Sequence, residues 1–355
     1  MLDNRISAAR GALKGSGADL LIVTSLSNIR YISGFTGSSA LLVVSEKEAF
    51  LLTDSRYTSQ AAAEAPGVQV IEYAQRLEGV KRLLQEQGAQ RIAFEAAHTT
   101  VAAHKDLCSV LPNLEFIPVD KELEALRTVK DASELRLLEQ TAQIASEALQ
   151  EILPQVRPGA VERDVALALE IAMRHRGAHG ISFDFIVASG ERGALPHGKA
   201  SDKVIAYGEL VTLDYGALYQ GYCSDETVTV CVGKPDPRQV EVYETVRGAQ
   251  EAAIKGARPG MTLKEVDALA RSYIESRGFG SYFGHGLGHG VGIDIHEHPT
   301  VSPRGEGTVT EGMVFTIEPG IYIPGWGGVR IEDTVVVEQD GCRCITKVPK
   351  DLIVL

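Results

Sequence analysis

Long apolar runs are missing from this sequence. Nothing in it approaches the roughly 18 consecutive apolar residues of a membrane-spanning helix, so an integral helical membrane protein is excluded as a reading. The N-terminal stretch MLDNRISAARGALKGSGADLLIV lacks a charged segment followed by an apolar core of the secretory type, and a cytoplasmic location is expected. Basic residues are in deficit: 35 Lys and Arg stand against 47 Asp and Glu, a formal net charge of −12. Phosphate backbones select basic surfaces, so nucleic acid is excluded as a general partner. Cysteine is scarce as well. Cys108, Cys223, Cys231, Cys342 and Cys344 are odd in number and scattered, which is no disulfide framework, and Cys342 and Cys344 read as one face of a late strand. Nucleotide-binding fingerprints are also absent. No G-x-G-x-x-G occurs, and GALPHGKA (193–200) only approximates a phosphate-binding loop, because Ala200 lacks the hydroxyl for magnesium and Pro196 lacks a backbone N–H.

What is present is an ordinary globular composition, 44% hydrophobic and 23% charged, in 355 residues. That length favours two domains over one core. In the first third, ADLLIVTS, SALLVVS, AFLLTD, VQVIEY and RIAFEA read as strands, and segments near 3–15, 55–65, 76–87 and 99–110 as helices. PVDKELEALRTVKDASELRLLEQ then breaks this pattern with charge and no strand signal, which places a domain boundary near 125. Beyond it a helix is expected from Ala132 to before Pro154 and another through Val165 to Met173, followed by strands. The same grammar returns with helices over about 237–255 and 262–277. RPGAVERDVALALEIAMRHRG and RPGMTLKEVDALARSYIESRG match in turn and helix, an internal repeat that predicts two pseudo-symmetric α/β halves with a site at their seam.

Carboxylates and imidazoles then occur where buried or tightly turned segments are expected. In LVTLDYGALYQGYCSDETVTV a two-residue turn at Tyr219-Gln220 would pair Leu218 with Gly221, Gly216 with Cys223 and Asp214 with Asp225. Two carboxylates face to face among apolar neighbours are costly unless a cation or a shared proton compensates. In FGHGLGHGVGIDIHEHP (283–299) the alternating glycines oppose a helix; an extended chain would put His285, Leu287, His289 and Val291 on one edge and glycines on the other, where backbones approach closely. With His296 and His298, four of the nine histidines fall within this run, a pattern suited to metal binding or acid–base work. Glu318 ends the apolar strand MVFTI and Glu332 lies in VRIEDTVVV. Either alone reads as a structural salt bridge, for instance to Arg330; together with the Asp pair and the histidines they read as a metal-binding set.

The order Asp214, Asp225, His289, Glu318, Glu332 resembles the ligand order of the pita-bread metallopeptidases, which include methionine aminopeptidase, aminopeptidase P and prolidase. LDYGALYQGYCSDET, GHGLGHGVGIDIHEHP, TIEPGIYIPGWGGVRIED and His197 in LPHG resemble the proline-specific branch; NIRYISGFTGSSALLVV and LLTDSRY resemble the extra N-terminal domain of that branch. The resemblance implies an α+β fold: a smaller α/β creatinase/prolidase-type domain over 1–124 and a pita-bread catalytic domain over 125–355. It implies an Xaa-Pro aminopeptidase or dipeptidase in which Asp214 holds one metal, His289 and Glu318 the other, and Asp225 and Glu332 bridge both. The largely hard ligand set suits Mn²⁺, Co²⁺ or Zn²⁺, with Mn²⁺ the first expectation. Glu318 is expected to carry protons, His296 and His197 to stabilise the reacting carbonyl, and His285 to support the substrate. Arg330 is expected to order Glu332 and the histidine wall, and Arg304 to grip a dipeptide carboxylate, against its plain reading as a solvated loop arginine. The substrates implied are Xaa-Pro dipeptides or short peptides with proline second, and a homodimer is implied by the extra domain. One departure stands out: many relatives carry arginine shortly after the second aspartate, where this chain has Thr227-Val228. A hydrolase of another small amide and a non-catalytic pita-bread binding protein remain the alternatives.

Overall fold

The computed structural model describes residues 2–119 and 121–355, and the chain forms two compact units, Met1–Arg127 and Thr128–Leu355. The first runs α1 (Leu2–Ser16), β1 (Leu20–Val23), α2 (Leu26–Ser33), β2 (Ala40–Ser45), β3 (Ala49–Thr53), α3 (Thr58–Glu64), β4 (Gln69–Glu72), α4 (Arg76–Glu86), β5 (Arg91–Glu95), α5 (Val101–Val110), β6 (Glu115–Val119) and the short α6 (Lys121–Glu124). Its strands form one mixed sheet in the order β4-β3-β2-β1-β5-β6. Leu20, Ile22, Val43 and Leu52 on the sheet pack against Val80, Leu83 and Leu84 of α4, each such side chain contributing about 2 kcal/mol relative to exposure. The five expected strands and four expected helices are present. Three elements escape the sequence pattern, the four-residue α6 among them. The α2 helix is too short for its period to register, although Ser25 caps its start and Gly34, at φ 86, ends it. The β6 strand carries Pro118, tolerated because it pairs with β5 alone at the sheet edge.

The second unit begins with α7 (Ala132–Ile152) and α8 (Glu162–His175), then β7 (Gly180–Ile181), β8 (Ile186–Ser189), β9 (Leu210–Tyr215), β10 (Ala217–Tyr219), β11 (Tyr222–Cys223) and β12 (Glu226–Cys231). It continues with α9 (Pro237–Gly256), α10 (Leu263–Ser276), β13 (Gly288–Gly290), β14 (Glu297–Val301), β15 (Val314–Ile317), β16 (Gly320–Ile323), β17 (Gly327–Arg330), β18 (Asp333–Glu338) and β19 (Gly341–Cys344). Asp131 and Glu134 form a capping box at α7, Asp236 and Gln239 at α9, and Thr262 and Glu265 at α10, which satisfies amide groups that helix starts leave open.

The repeat seen in the sequence is repeated in hydrogen bonds. Gly159 N donates to Ile205 O and Ile205 N to Ala160 O; Gly260 N donates to Val309 O and Val309 N to Met261 O. Both glycines take positive φ, 88 and 92, which is why Pro-Gly recurs before each helix. Each half lays two helices on a sheet. Leu149, Val165, Leu169 and Met173 cover Val187, Val211, Leu213 and Val230, while Val246, Val266, Ala270 and Ile274 cover Phe315, Ile317, Val335 and Val337. The halves meet where β12 runs beside β17 and β18: Glu332 N donates to Thr227 O (3.1 Å), Thr334 Oγ1 to Asp225 O (2.7 Å) and Arg330 N to Thr229 Oγ1 (3.2 Å). Among the described residues, no helix is long and apolar enough to cross a membrane.

Candidate metal centre and active site

Each half sends two carboxylates to this seam. Asp214 lies near the end of β9 and Asp225 just before β12; Glu318 follows β15 and Glu332 precedes β18. The first pair does not meet as the expected hairpin register required. The turn is formed by Gln220 and Gly221, at φ 46 and 75, because a two-residue hairpin of this twist needs both central residues at positive φ and Gly221 supplies one without strain. Tyr219 therefore pairs with Tyr222, Leu218 with Cys223, and Asp214 with Thr227. The ladder is displaced by two residues, an even number, so Asp225 keeps the face of Asp214 and lies diagonal to it. Ligand oxygens of Asp214, Asp225 and Glu332 all lie within 4.8 Å of one another.

His289 arrives from the second half. Its strand β13 is wedged between β14 and β15, and a Cβ on Gly288 would overlap the Thr316 carbonyl oxygen, one on Gly290 that of His298. The glycines thus permit the close backbone approach expected of them, although the regular strand covers only Gly288–Gly290 and is bulged after His289. His289 Nδ1 lies 3.0 Å from Gly290 O. A carbonyl oxygen only accepts, so Nδ1 carries the proton and the Nε2 lone pair is directed at Asp225 Oδ2 (3.4 Å) and Glu318 Oε1 (3.5 Å). Two threonines brace the carboxylates. Thr227 Oγ1 accepts from Arg330 Nε (3.2 Å) and donates to Glu332 Oε2 (2.5 Å); Thr316 Oγ1 accepts from His289 N (3.0 Å) and donates to Glu318 Oε1 (3.2 Å).

Burial, and then repulsion by Glu332 and Asp214, pushes the Asp225 carboxyl well above its usual range; burial followed by Glu318 and Asp214 does the same to Glu332. Burial also raises Glu318 and lowers His289. A divalent cation would offset the mutual repulsion of such a group of carboxylates. The donor set fits one: Asp214 Oδ1 is buried without a hydrogen-bond partner, and the His289 lone pair faces the carboxylates. Carboxylate oxygens with one imidazole suit divalent ions of the Mn²⁺, Co²⁺ or Zn²⁺ kind.

These residues line a cavity of about 520 Å³ whose wall also includes His197, His285, His296, Tyr322 and Arg330, with Phe183, Ile186, Pro196 and Ile295 as its apolar part. The His296 ring lies 4.4 Å from that of His289, and burial together with His289 lowers its pKa. His285 Nδ1 donates to Gly286 O (2.7 Å), so its Nε2 accepts from the Tyr322 hydroxyl (3.0 Å), which in turn accepts from Arg330 Nη1 (2.8 Å). Burial pushes the Tyr322 phenol up to about 12 and the His285 imidazole down. Arg330 reaches His285 through Tyr322, and its link to Glu332 is indirect. It is 3% exposed, and its Nη2 bonds Asp214 Oδ2 (2.6 Å) rather than Glu332, which it reaches only through Thr227. Nη1 also donates to Pro196 O (3.1 Å), and the side chain lines the cavity beside Asp214. Arg304 is exposed beside the cavity, in a turn where its N–H donates to Ser302 Oγ; Thr300 and Ser302 belong to the wall and Arg304 does not. Tyr322 and Thr316 are not singled out by the sequence, and Thr227 stands out there only as a departure from relatives, not as a brace for Glu332. Only the GIYI alternation after Glu318 hinted that Tyr322 faces this way.

Comparison with known proteins agrees with this architecture. Residues 136–339 match the model of metallopeptidase family M24, and residues 5–129 that of the creatinase/prolidase N-terminal domain. An uncharacterized peptidase of Bacillus subtilis, YqhT, is 46% identical over 340 residues, 96% of each chain. Among solved structures, an Xaa-Pro dipeptidase from Bacillus anthracis superposes with a TM-score of 0.98 at 43% identity, covering all of both chains. An X-Pro aminopeptidase from Thermotoga maritima gives 0.91 at 39%, covering 97% of this chain and 100% of that one. With five potential ligands converging at the seam of two repeated halves, and a creatinase-type N-terminal domain preceding them in sequence, this chain belongs to metallopeptidase family M24 and has its pita-bread fold.

Proposed function

We propose that this peptidase hydrolyses the bond before proline in Xaa-Pro dipeptides, using two divalent metal ions, Mn²⁺ first among them, held by Asp214, Asp225, His289, Glu318 and Glu332. The observation that carries the reading is the set of three carboxylates within 4.8 Å, Asp225 and Glu332 buried and Asp214 half-buried, faced by the His289 lone pair on the wall of one cavity. In this reading Asp214 would hold one ion, His289 and Glu318 the other, and Asp225 and Glu332 would contribute to both. Two such ions supply a nucleophilic water at neutral pH and polarise the scissile carbonyl.

The protein's own groups do the rest. Glu318, its carboxyl raised by burial and oriented by Thr316, takes the proton of the attacking water and returns it to the prolyl nitrogen as the bond breaks. His296 and His197 donate to the oxygen that gains charge. His285, fixed by Tyr322, lines the substrate side, and Arg330 holds Asp214 in place. The Phe183, Ile186, Pro196 and Ile295 wall offers an apolar seat to a proline ring, which brings no N–H to satisfy.

Chelation should abolish hydrolysis and Mn²⁺ or Co²⁺ should restore it; full activity in metal-free protein overturns the reading. An aminopeptidase acting on longer chains is the second reading, favoured by the likeness to the Thermotoga enzyme. Parallel assays on Xaa-Pro and Xaa-Pro-Yaa distinguish the two. The active form is further proposed to be a homodimer, which light scattering at assay concentration tests.

A further inference from the structure

Behind the carboxylates of the site lies a second acidic pair. Asp225 is followed by Glu226 at the start of β12, and Glu332 by Asp333 at the start of β18. Successive side chains of a strand point to opposite faces, so each dipeptide sends one carboxylate to the cavity and the next into the interior. Glu226 and Asp333 are 0% and 6% exposed, and the ammonium of Lys350 lies between them, 2.6 Å from Glu226 Oε1 and 3.3 Å from Asp333 Oδ1. The remaining partners serve one carboxylate each: Ser146, Tyr215 and the Val348 amide on Glu226, Gln250 and Thr346 on Asp333. Among the described residues, Lys350 alone joins the two.

The joint crosses the seam, since β12 belongs to the sheet of the first half and β18 to that of the second. Lys350 is itself held from both sides. Tyr243 Oη donates to its carbonyl (3.1 Å), and the segment beyond it pairs with β12 through Cys231 N to Ile353 O and Leu355 N to Cys231 O, both 2.9 Å. Stability does not account for such a group. Replacing a buried ion cluster by apolar side chains is often neutral or stabilising, because desolvation offsets the Coulomb gain. What the cluster does supply is geometry: one ammonium fixes the spacing of two backbones, each a single residue from a carboxylate that the proposed function makes a bridge.

We infer that Lys350 is a positioning residue that ties the two halves together so that Asp225 and Glu332 are presented to the same pair of metal ions. This rests on the metal assignment above. Groups bonded to metal ligands typically govern affinity by about 10–100-fold, and Lys350, bonded to the residues next to two proposed ligands, is expected to act within that range.

Chelator-stripped wild type, Lys350→Met and, as a surface control, Lys264→Met are titrated with Mn²⁺ by calorimetry well below their melting temperatures. The expected result is a Kd weakened by about 10–100-fold in Lys350→Met and unchanged in Lys264→Met. A folded Lys350→Met that binds Mn²⁺ as tightly as wild type overturns the inference, even with a lowered Tm, since a merely structural lysine would move Tm and not Kd. If Lys350→Met fails to melt cooperatively, the variant Lys350→Met/Glu226→Gln/Asp333→Asn is titrated under the same criterion. It removes all three charges while keeping the Ser146, Tyr215, Gln250 and Thr346 partners. Wild type that takes up no Mn²⁺, Co²⁺ or Zn²⁺ would instead refute the metal assignment itself, so the two failures are separable.

Discussion

Replacing Asp225 by asparagine should stabilise the metal-free protein while removing its response to metal. Asp225 is 4% exposed, and its oxygens lie within 4.8 Å of those of Asp214 and Glu332. At that separation and an effective dielectric of about 20, two ionised carboxylates repel by about 3.5 kcal/mol per pair. The protein lessens this by retaining protons, which is the upward displacement of Asp225, Glu318 and Glu332. Because these folded-state values lie above the unfolded ones, the native state holds protons that the unfolded chain releases. Stability of the metal-free form is therefore full below the ordinary carboxylate range and is lost as pH rises towards the raised values. Asp225→Asn deletes one charge at nearly constant shape. About 2 kcal/mol should be recovered near pH 8, less near pH 5. For a unit the size of Thr128–Leu355, this raises Tm by about 4–8 °C. Thermal melts with chelator and with Mn²⁺ at both pH values measure it. Wild type should gain Tm on adding Mn²⁺ and the variant should gain little, with hydrolysis lost. A chelated Asp225→Asn protein melting at or below wild type near pH 8 would refute the reasoning.

Other substitutions examine separate links of the argument. Gly288→Ala should cost about 3 kcal/mol and weaken metal binding, since its Cβ meets the Thr316 carbonyl; a melt unchanged from wild type would show that β13 can shift. Arg304→Ala should raise KM for Xaa-Pro dipeptides about tenfold or more, a contact of about 1.5–3 kcal/mol, with tripeptides little changed; equal effects on both would leave Arg304 a solvated side chain and favour the aminopeptidase reading. Gln220→Asn should stabilise by about 0.5 kcal/mol, because asparagine tolerates the φ of 46 at this turn better than glutamine does; a lower denaturation midpoint would argue against the turn geometry.

The five potential ligands were legible in the sequence because their chemistry is conspicuous there: carboxylates set in β-branched runs and imidazoles among alternating glycines. The repeat was legible for a related reason, since two Pro-Gly turns before matching amphipathic helices are a local pattern. The hairpin register, and the pairing of Asp214 with it, lies two residues from the one the sequence suggests, because the turn follows from which residues can hold positive φ and hydrophobic alternation does not report that. The displacement leaves the carboxylates on one face only because it is even.

Partners distant in sequence were beyond the reach of local pattern. Arg330 stands two residues from Glu332, yet it bonds Asp214, more than a hundred residues away, because the seam brings β17 beside β9 and β12. Tyr322 joins His285 to Arg330 by a hydroxyl whose direction depends on how β16 and β17 pack. Lys350 reads in sequence as one lysine among many and is buried in the structure between carboxylates from both halves. Sequence by itself determined which chemistry is present and on which kind of segment, since residue type and local periodicity are properties of short stretches. Tertiary structure alone decided which charges neutralise one another and which proton each imidazole carries, because Coulomb and hydrogen-bond energies depend on distances that only the packed halves set.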